Sequence, residues 1–460
     1  MDASLLEQYG QAHVLQYWDE LNAEQQRTLQ TQLDQLDFEQ LQKLTGSKEA
    51  SVDWGALAER ATPPPAVQLG KPHAQFTEEA AKQAGEQALR EGKVGMILVA
   101  GGQGTRLGFD KPKGMFPIGP VSNRTLFEVH CDRLQAVMKA YQVSIPMFVM
   151  TSPATDAITR EYFEQHERCG LAEDQLRIFC QGTMPAVDDE TGKLLLAEKD
   201  SLALSPDGHG GLVAALDRNG CLAEAKERGI EYFFYGQVDN PLVQICDPVL
   251  IGYHILAKSQ VTTQVVQKRF ATEKVGNVVS VDGKVQIIEY SDLPESVAEK
   301  TNDDGGLLLW AGNIAVHVFD RDFLASVVSN VDGLPFHRAH KKVPYMGEGG
   351  SKVEPDSPNA IKFERFVFDL LPLAETAFVV EGDPAQVFAP VKNAPGAEVD
   401  TAEHAKQAQC AVFREWLEAA GAHVPDGIQV EIHPEWAAGP DEVKSKVEAG
   451  LKFEADTYLR

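Results

Sequence analysis

The sequence predicts an α/β fold built on a mostly parallel, partly mixed sheet, with an N-terminal helical region and a small C-terminal domain. Short apolar runs alternate with helical stretches through the middle of the chain, the pattern of strands buried on both faces and linked by helices. The first 60 or so residues instead show helix-spaced leucines amid Gln and Glu. The last stretch, from about Phe378, shifts to Ala, Glu, Pro and Gly.

In order, Val14, Leu15, Trp18 and Leu21, then Leu29, Leu33 and Leu36, then Leu41 and Leu44, mark helical packing faces over residues 1 to about 60. The Ala61-Thr62-Pro63-Pro64-Pro65 run reads as a linker. A helix is expected from Thr77 to Glu91, stopping before Gly92. Val94 to Ala100, Met147 to Met150 and Tyr232 to Tyr235 suit buried strands, and Leu126 to Tyr141 suits a helix between the first two. Val278–Val281 and Lys284–Ile288 flank Asp282-Gly283, the signature of a hairpin. The expected partition is an N-terminal helical region over 1–92, a core domain over 93–377 and a C-terminal domain over 378–460.

No apolar run approaches the roughly 20 residues that cross a bilayer, and the opening MDASLLEQYG lacks the basic flank and apolar stretch of a secretory signal. The expectation is a cytoplasmic protein. Its six cysteines include no CxxC pair, which argues against a zinc site and a disulfide framework. A net charge of −26 opposes binding to nucleic acid or to anionic membranes. It does not oppose small phosphate ligands, provided that cations and backbone amides gather in a few loops.

One loop meets that condition. Leu98-Val99-Ala100 runs into Gly101-Gly102-Gln103-Gly104-Thr105-Arg106-Leu107-Gly108, followed by Pro112-Lys113-Gly114. Glycines after a buried strand let the backbone turn tightly and bring N–H groups to phosphate oxygens, and a helix starting there would favour an anion. Arg106 adds a planar fork and Lys113 a mobile point charge. The GxGxxG spacing fails at Leu107 and no GxxxxGK[ST] occurs, so neither a dinucleotide fingerprint nor a Walker A loop is present. Further on, Asp239 closes the apolar run from Tyr232 to Val238, where a carboxylate either holds a divalent cation against phosphates or caps the next helix.

This loop resembles the signature of the eukaryotic-type UDP-sugar pyrophosphorylases, and more closely their UDP-N-acetylglucosamine pyrophosphorylase branch. The resemblance continues through Gln181–Ala186, Pro206–Gly211, Gln237–Asn240, Val275-Gly276, Ile288–Ser291, Asn313–Ala315 and Lys362–Asp369, in order, over roughly residues 95 to 395. It implies a Rossmann-like nucleotidyltransferase core that joins UTP to a sugar-1-phosphate, N-acetylglucosamine-1-phosphate being favoured. It makes Gly101, Gly102, Gly104, Arg106 and Lys113 the triphosphate grip and Asp239 the ligand of Mg²⁺ (or Mn²⁺). Gln181 and Gly208 then belong to the uracil site; Gly276, Glu289 and Asn313 to the sugar. Lys362 and Lys392 meet phosphate from the later part of the chain. Arg106, Lys113 and Lys362 carry the catalytic charge. His209 departs from the branch, which has Asn there, and resembles the UDP-glucose enzymes. A UDP-glucose or broad-specificity enzyme is thus the alternative, and a nucleotide-sugar sensor the non-enzymatic one. The expected assembly is a monomer or weak homo-oligomer.

Overall fold

The computed structural model describes residues 3–46, 53–328, 334–347 and 349–460, so the part of the expected N-terminal helical region at 1–2 and 47–52 lies outside the described residues. Contacts group the chain into two compact units. One gathers Met1–Asp53, Gln181–Leu212 and Val331–Asp369; the other gathers Trp54–Cys180, Val213–Asn330 and Leu370–Arg460.

The second unit is built on a ten-stranded sheet. Eight strands follow in the order Ala66–Val67, Ala377–Glu381, Val261–Gln267, Ala311–Asp320, Tyr232–Gln237, Val94–Val99, Met147–Thr151, Leu176–Cys180, and the other two, Asn277–Val281 and Lys284–Ile288, branch off Ala311–Asp320. Along those eight, neighbours run parallel except that Ala311–Asp320 lies antiparallel to the strand on each side; the two branching strands are antiparallel as well. The sheet is therefore mixed but mostly parallel, as expected. The Val94–Val99 and Met147–Thr151 strands are apolar because they are buried on both faces and leave little side chain in water.

The chain leaves Val94–Val99 toward Met147–Thr151 and Leu176–Cys180 on one side, then returns on the other side with Tyr232–Gln237. The order of connection thus reverses at Val94–Val99. At such a reversal the loops beyond two adjoining parallel strands part company and leave a crevice at the strand C-termini. The glycine-rich loop follows one of those strands and Asp239 the other.

Local signals were followed closely. Thr77 caps a helix over Glu78–Arg90, and Thr125 caps one over Leu126–Tyr141 with Glu128 closing a capping box. The Asn277–Val281 and Lys284–Ile288 strands turn through Asp282 (φ 51°) and Gly283 (φ 80°), the two left-handed positions of a tight hairpin turn. Two expectations are corrected. The proline run is more than a linker: Thr62 bridges Ser280, and Ala66–Val67 forms the edge strand of the sheet. Nor do contacts divide the chain at 92/93 or 377/378. The Glu78–Arg90 helix packs on Pro248–Leu256, and Ala377–Glu381 is a strand of the main sheet.

The first unit joins segments distant in sequence. Leu6, Val14, Leu29, Leu33 and Leu41 from the N-terminal helices share a core with Val187, Leu194, Leu202, Ile361 and Phe363. Leucine stripes of this kind need a partner surface, and here it comes from 181–212 and 331–369. The C-terminal residues form a core of their own around Phe413, Leu417, Val424, Val430 and Ile432. Among the described residues no helix is long and apolar enough to cross a membrane, and all six cysteines are free.

Candidate functional site

Within the second unit, the loop after Val94–Val99 is pinned on both flanks. Ser152 Oγ donates to the Gly101 carbonyl at 2.7 Å, and the Lys113 amide donates to the Gly102 carbonyl at 3.0 Å. Lys113 is thereby folded back beside the start of its own loop, five residues after Gly108 leaves it. Two details differ from expectation. Gly104 spends its amide on the Lys111 carbonyl at 2.9 Å, and a Cβ there would stand 2.7–2.9 Å from Phe109 and Lys111 atoms. Gly104 therefore closes the turn and does not offer its N–H outward. The loop also enters only a single 3-10 turn, Thr105–Leu107, so no helix field of consequence points at it. Local side-chain cations replace that field: Arg106 is exposed on the turn, and Lys113 is half-buried below it.

Lys113 Nζ donates to Asp239 Oδ2 at 3.2 Å, with both side chains largely shielded. Burial alone would raise the Asp239 carboxyl; the charges of Lys113 and Lys392 and the Lys113 hydrogen bond hold it below its ordinary value. Lys392 is brought there by the backbone, because the Val391 amide donates to the Asp239 carbonyl at 2.9 Å. Asn240 extends the tie, donating to the Val387 carbonyl at 2.7 Å and accepting from the Ala389 amide at 3.0 Å. The helix-cap alternative for Asp239 fails, since Asp247 caps the next helix by accepting from the Val249 and Leu250 amides.

His130 was missed in the sequence. It lies on the buried face of Leu126–Tyr141 and its Nε2 is 2.9 Å from the Val238 carbonyl, one residue before Asp239. A carbonyl only accepts, so Nε2 carries the proton. Burial drives this imidazole down to about 4, which keeps it neutral. The available signal was a lone polar residue among Phe127, Cys131 and Leu134 on the helix's apolar face.

The predicted sugar residues also meet within this unit. Asn277, next to Gly276, pairs with Ile288 and with Gly312. The Asn313 amide donates to the Gly276 carbonyl at 2.8 Å. A Cβ on Gly276 would stand 3.1 Å from Glu289 Oε1 and 3.7 Å from Asn313 Cβ, so the three predicted residues are immediate neighbours. The Asp400 carboxyl, raised by burial, senses Lys392, Arg269, Glu273 and Asp239.

The first unit holds the remaining residues. The Asp207 amide donates to the Gly182 carbonyl at 3.1 Å, which joins the loop of Gln181 to that of Gly208. Gly208 has φ 81° and ψ 167°, and a Cβ there would lie 2.3 Å from the Arg365 carbonyl oxygen. Only glycine fits that backbone and that approach. Lys362 is half-buried on Ala360–Glu364, a strand set against Thr183–Pro185 and the His209 turn. His209 is held by the fold: its Nδ1 accepts from the Val367 amide at 3.0 Å, and its ring stacks on Phe366 at 5.3 Å. Burial and the neighbouring His337 lower it to about 4. Its departure from the branch pattern is thus absorbed by packing against 366–368. Structure accordingly brings Gly101, Gly102, Gly104, Arg106, Lys113, Asp239, Lys392, Gly276, Glu289 and Asn313 into one unit, and Gln181, Gly208, His209 and Lys362 into the other.

Comparison with known proteins shows the family. Residues 37–398 match the family model described as UTP–glucose-1-phosphate uridylyltransferase. A UDP-N-acetylglucosamine pyrophosphorylase of Saccharomyces cerevisiae is 40% identical over 76% of this chain and 74% of its own. A Xenopus tropicalis UDP-N-acetylhexosamine pyrophosphorylase-like protein 1 is 36% identical over 91% of this chain and 85% of its own. The crystal structure of the Trypanosoma brucei uridine diphosphate N-acetylglucosamine pyrophosphorylase, in complex with an inhibitor, superposes with a TM-score of 0.81 at 25% identity, covering 96% of this chain and 93% of that one. The chain belongs to the UTP–glucose-1-phosphate uridylyltransferase family, in its UDP-N-acetylglucosamine pyrophosphorylase branch.

Proposed function

We infer that this chain transfers a uridylyl group from UTP to N-acetylglucosamine-1-phosphate, forming UDP-N-acetylglucosamine and releasing pyrophosphate. The observation that carries the reading is the Lys113–Asp239 pair, held at the C-termini of two adjoining parallel strands beside the glycine-rich loop. Phosphates of UTP would take up the charge that Lys113 and Lys392 now share with one carboxylate.

In the reaction, an oxygen of the sugar phosphate attacks the α-phosphorus of UTP. The bond from that phosphorus to the bridging oxygen breaks, and pyrophosphate leaves in line. With a second phosphate pKa near 6, the attacking group is already ionised at neutral pH and needs no general base. Alignment and charge neutralisation then supply the rate. Arg106 and Lys113 offset charge on the triphosphate. The resemblance assigns Gln181 and Gly208 to the uracil, Gly276, Glu289 and Asn313 to the sugar, and Lys362 to its phosphate.

Asp239 is one shielded carboxylate kept ionised by two lysines, a donor set that suits Mg²⁺ or Mn²⁺ drawing its other ligands from phosphates and water. Bound there, the cation would screen the phosphate charge that otherwise repels the nucleophile. In this reading the enzyme acts in the cytoplasm as a monomer or weak homo-oligomer, without nucleic acid or membrane partners.

The test is pyrophosphate release from UTP with a panel of sugar-1-phosphates. A higher kcat/KM for N-acetylglucosamine-1-phosphate than for glucose-1-phosphate supports the reading. The reverse preference overturns the sugar, and nucleotide binding without any pyrophosphate release would make the chain a sensor.

A further inference from the structure

Lys268 is a buried ammonium that the proposed reaction does not use. It is 4% exposed, just beyond the Val261–Gln267 strand. Placing such a charge out of water costs several kcal/mol and is tolerated where the geometry gives it partners. Its Nζ donates to Asn277 Oδ1 at 2.5 Å and to the Ala271 carbonyl at 3.4 Å.

An ammonium only donates, so it fixes the orientation of the Asn277 amide: the oxygen faces Lys268 and the NH₂ faces away. That NH₂ donates to the Val275 carbonyl at 3.4 Å and to the Ile288 carbonyl at 3.3 Å. These carbonyls belong to the peptide groups that lead into Gly276 and Glu289. The Asn277 backbone also pairs with Gly312, which leads into Asn313. A Cβ on Gly312 would stand 3.3 Å from Lys268 Cγ, so the lysine stem lines the approach to Asn313 as well. One buried side-chain pair thus touches the backbone next to each of the three sugar residues. Two of the hydrogen bonds are long and individually weak. The amide holds them together only while Lys268 prevents it from turning over.

We propose that Lys268 and Asn277 form a positioning strut that aligns Gly276, Glu289 and Asn313, and so sets which sugar-1-phosphate the enzyme accepts. The inference rests on the reading of those three residues as the sugar site. Among the described residues, the hydrogen bonds of Lys268 and Asn277 reach none of Gly101 to Lys113, nor Asp239. The strut therefore acts on the sugar and leaves UTP alone.

Asn277→Asp is the discriminating variant. It keeps shape and an acceptor for Lys268, but places a carboxylate oxygen against two carbonyls where a donor stood. A displacement of about 1 Å at a bound substrate can cost on the order of 100-fold. The expected result is a rise of about 10-fold in KM for N-acetylglucosamine-1-phosphate, a UTP KM within about twofold of wild type, and a reduced preference over glucose-1-phosphate. If Asn277→Asp fails to fold, Lys268→Met, which frees the amide without adding charge, must show the same split. Unchanged sugar KM and selectivity, or equal rises for both substrates, overturn the strut. Glu289→Gln measured alongside separates the two readings. If it raises sugar KM while the folded strut variant does not, the sugar site stands and the strut falls. If it has no effect, the sugar site falls and the strut with it.

Discussion

Replacing Lys113 with alanine removes the cation that pairs with Asp239 at 3.2 Å, and two effects of different size should separate. On catalysis, deleting one preorganised charge aimed at a transferring phosphate costs about 2.7–4 kcal/mol, or roughly 10²–10³ in kcat. On stability, breaking a shielded pair costs about 3–5 kcal/mol when the remaining charge has no other partner. Lys392 still faces Asp239, so the loss should sit near the low end, about 3 kcal/mol. Its pH dependence has a definite sign. In the native chain the Asp239 carboxyl lies below its ordinary 3.8, so its contribution is present above that pH and is lost as acid titrates it. Without Lys113, burial gains weight and the carboxyl moves up. The stability gap between variant and wild type should then narrow on acidification from pH 7 toward 4. Single-turnover pyrophosphate release and urea denaturation across that range read both effects. Near-wild-type kcat in Lys113→Ala would remove this lysine from the mechanism, and a gap that widens in acid would refute the electrostatic account of the pair.

Other substitutions test neighbouring parts of the argument. Asp239→Asn keeps the shape and ends the burial cost of a charge, so kcat should fall by about 100-fold or more while the melting temperature holds; a normal rate at every magnesium concentration would count against Asp239 as a metal ligand. Gly208→Ala forces a side chain into φ 81° and onto the Arg365 carbonyl, which should cost about 1–3 kcal/mol in the backbone alone and raise UTP KM; equilibrium denaturation within 0.5 kcal/mol of wild type, as an ordinary surface change gives, would refute it. His130 and His254 are buried, with pKa values lowered by burial to about 4 and about 3. Both take up protons on unfolding below an ordinary 6.5, so stability should rise with pH between about 4 and 6.5, by up to about 2.7 kcal/mol per pH unit for the pair. A flat stability profile there would contradict that burial.

Features governed by short-range chemistry were legible. Asp282-Gly283 announces its hairpin because two left-handed residues are needed between twisted strands. The helix starts expected at Thr77 and Leu126 coincide with capped ends, because side chains must satisfy the first amides. The phosphate loop was legible as glycine, arginine and lysine after an apolar strand, but its hydrogen bonding was not, and Gly104 turned out to close the turn. Composition also could not reveal the first unit, because its core depends on contacts of Leu29 and Leu33 with residues such as Ile361 and Phe363 far along the chain. The same holds for Lys268 and Asn277. Each is an ordinary polar residue in sequence, and only the pairing of Asn277–Val281 with its neighbours makes them a buried couple. His209 is a further case, because its backbone-amide partner Val367 and the ring beside it, Phe366, lie far along the chain.

The grip of the Gly101–Lys113 loop on the triphosphate is tested most directly by a crystal structure of this protein with UTP and magnesium. The phosphates should lie within hydrogen-bond reach of the loop and of Lys113 Nζ, with Lys113 drawn from Asp239 toward the nucleotide. A triphosphate bound away from the loop, with the Lys113–Asp239 pair intact, would contradict the account at its root.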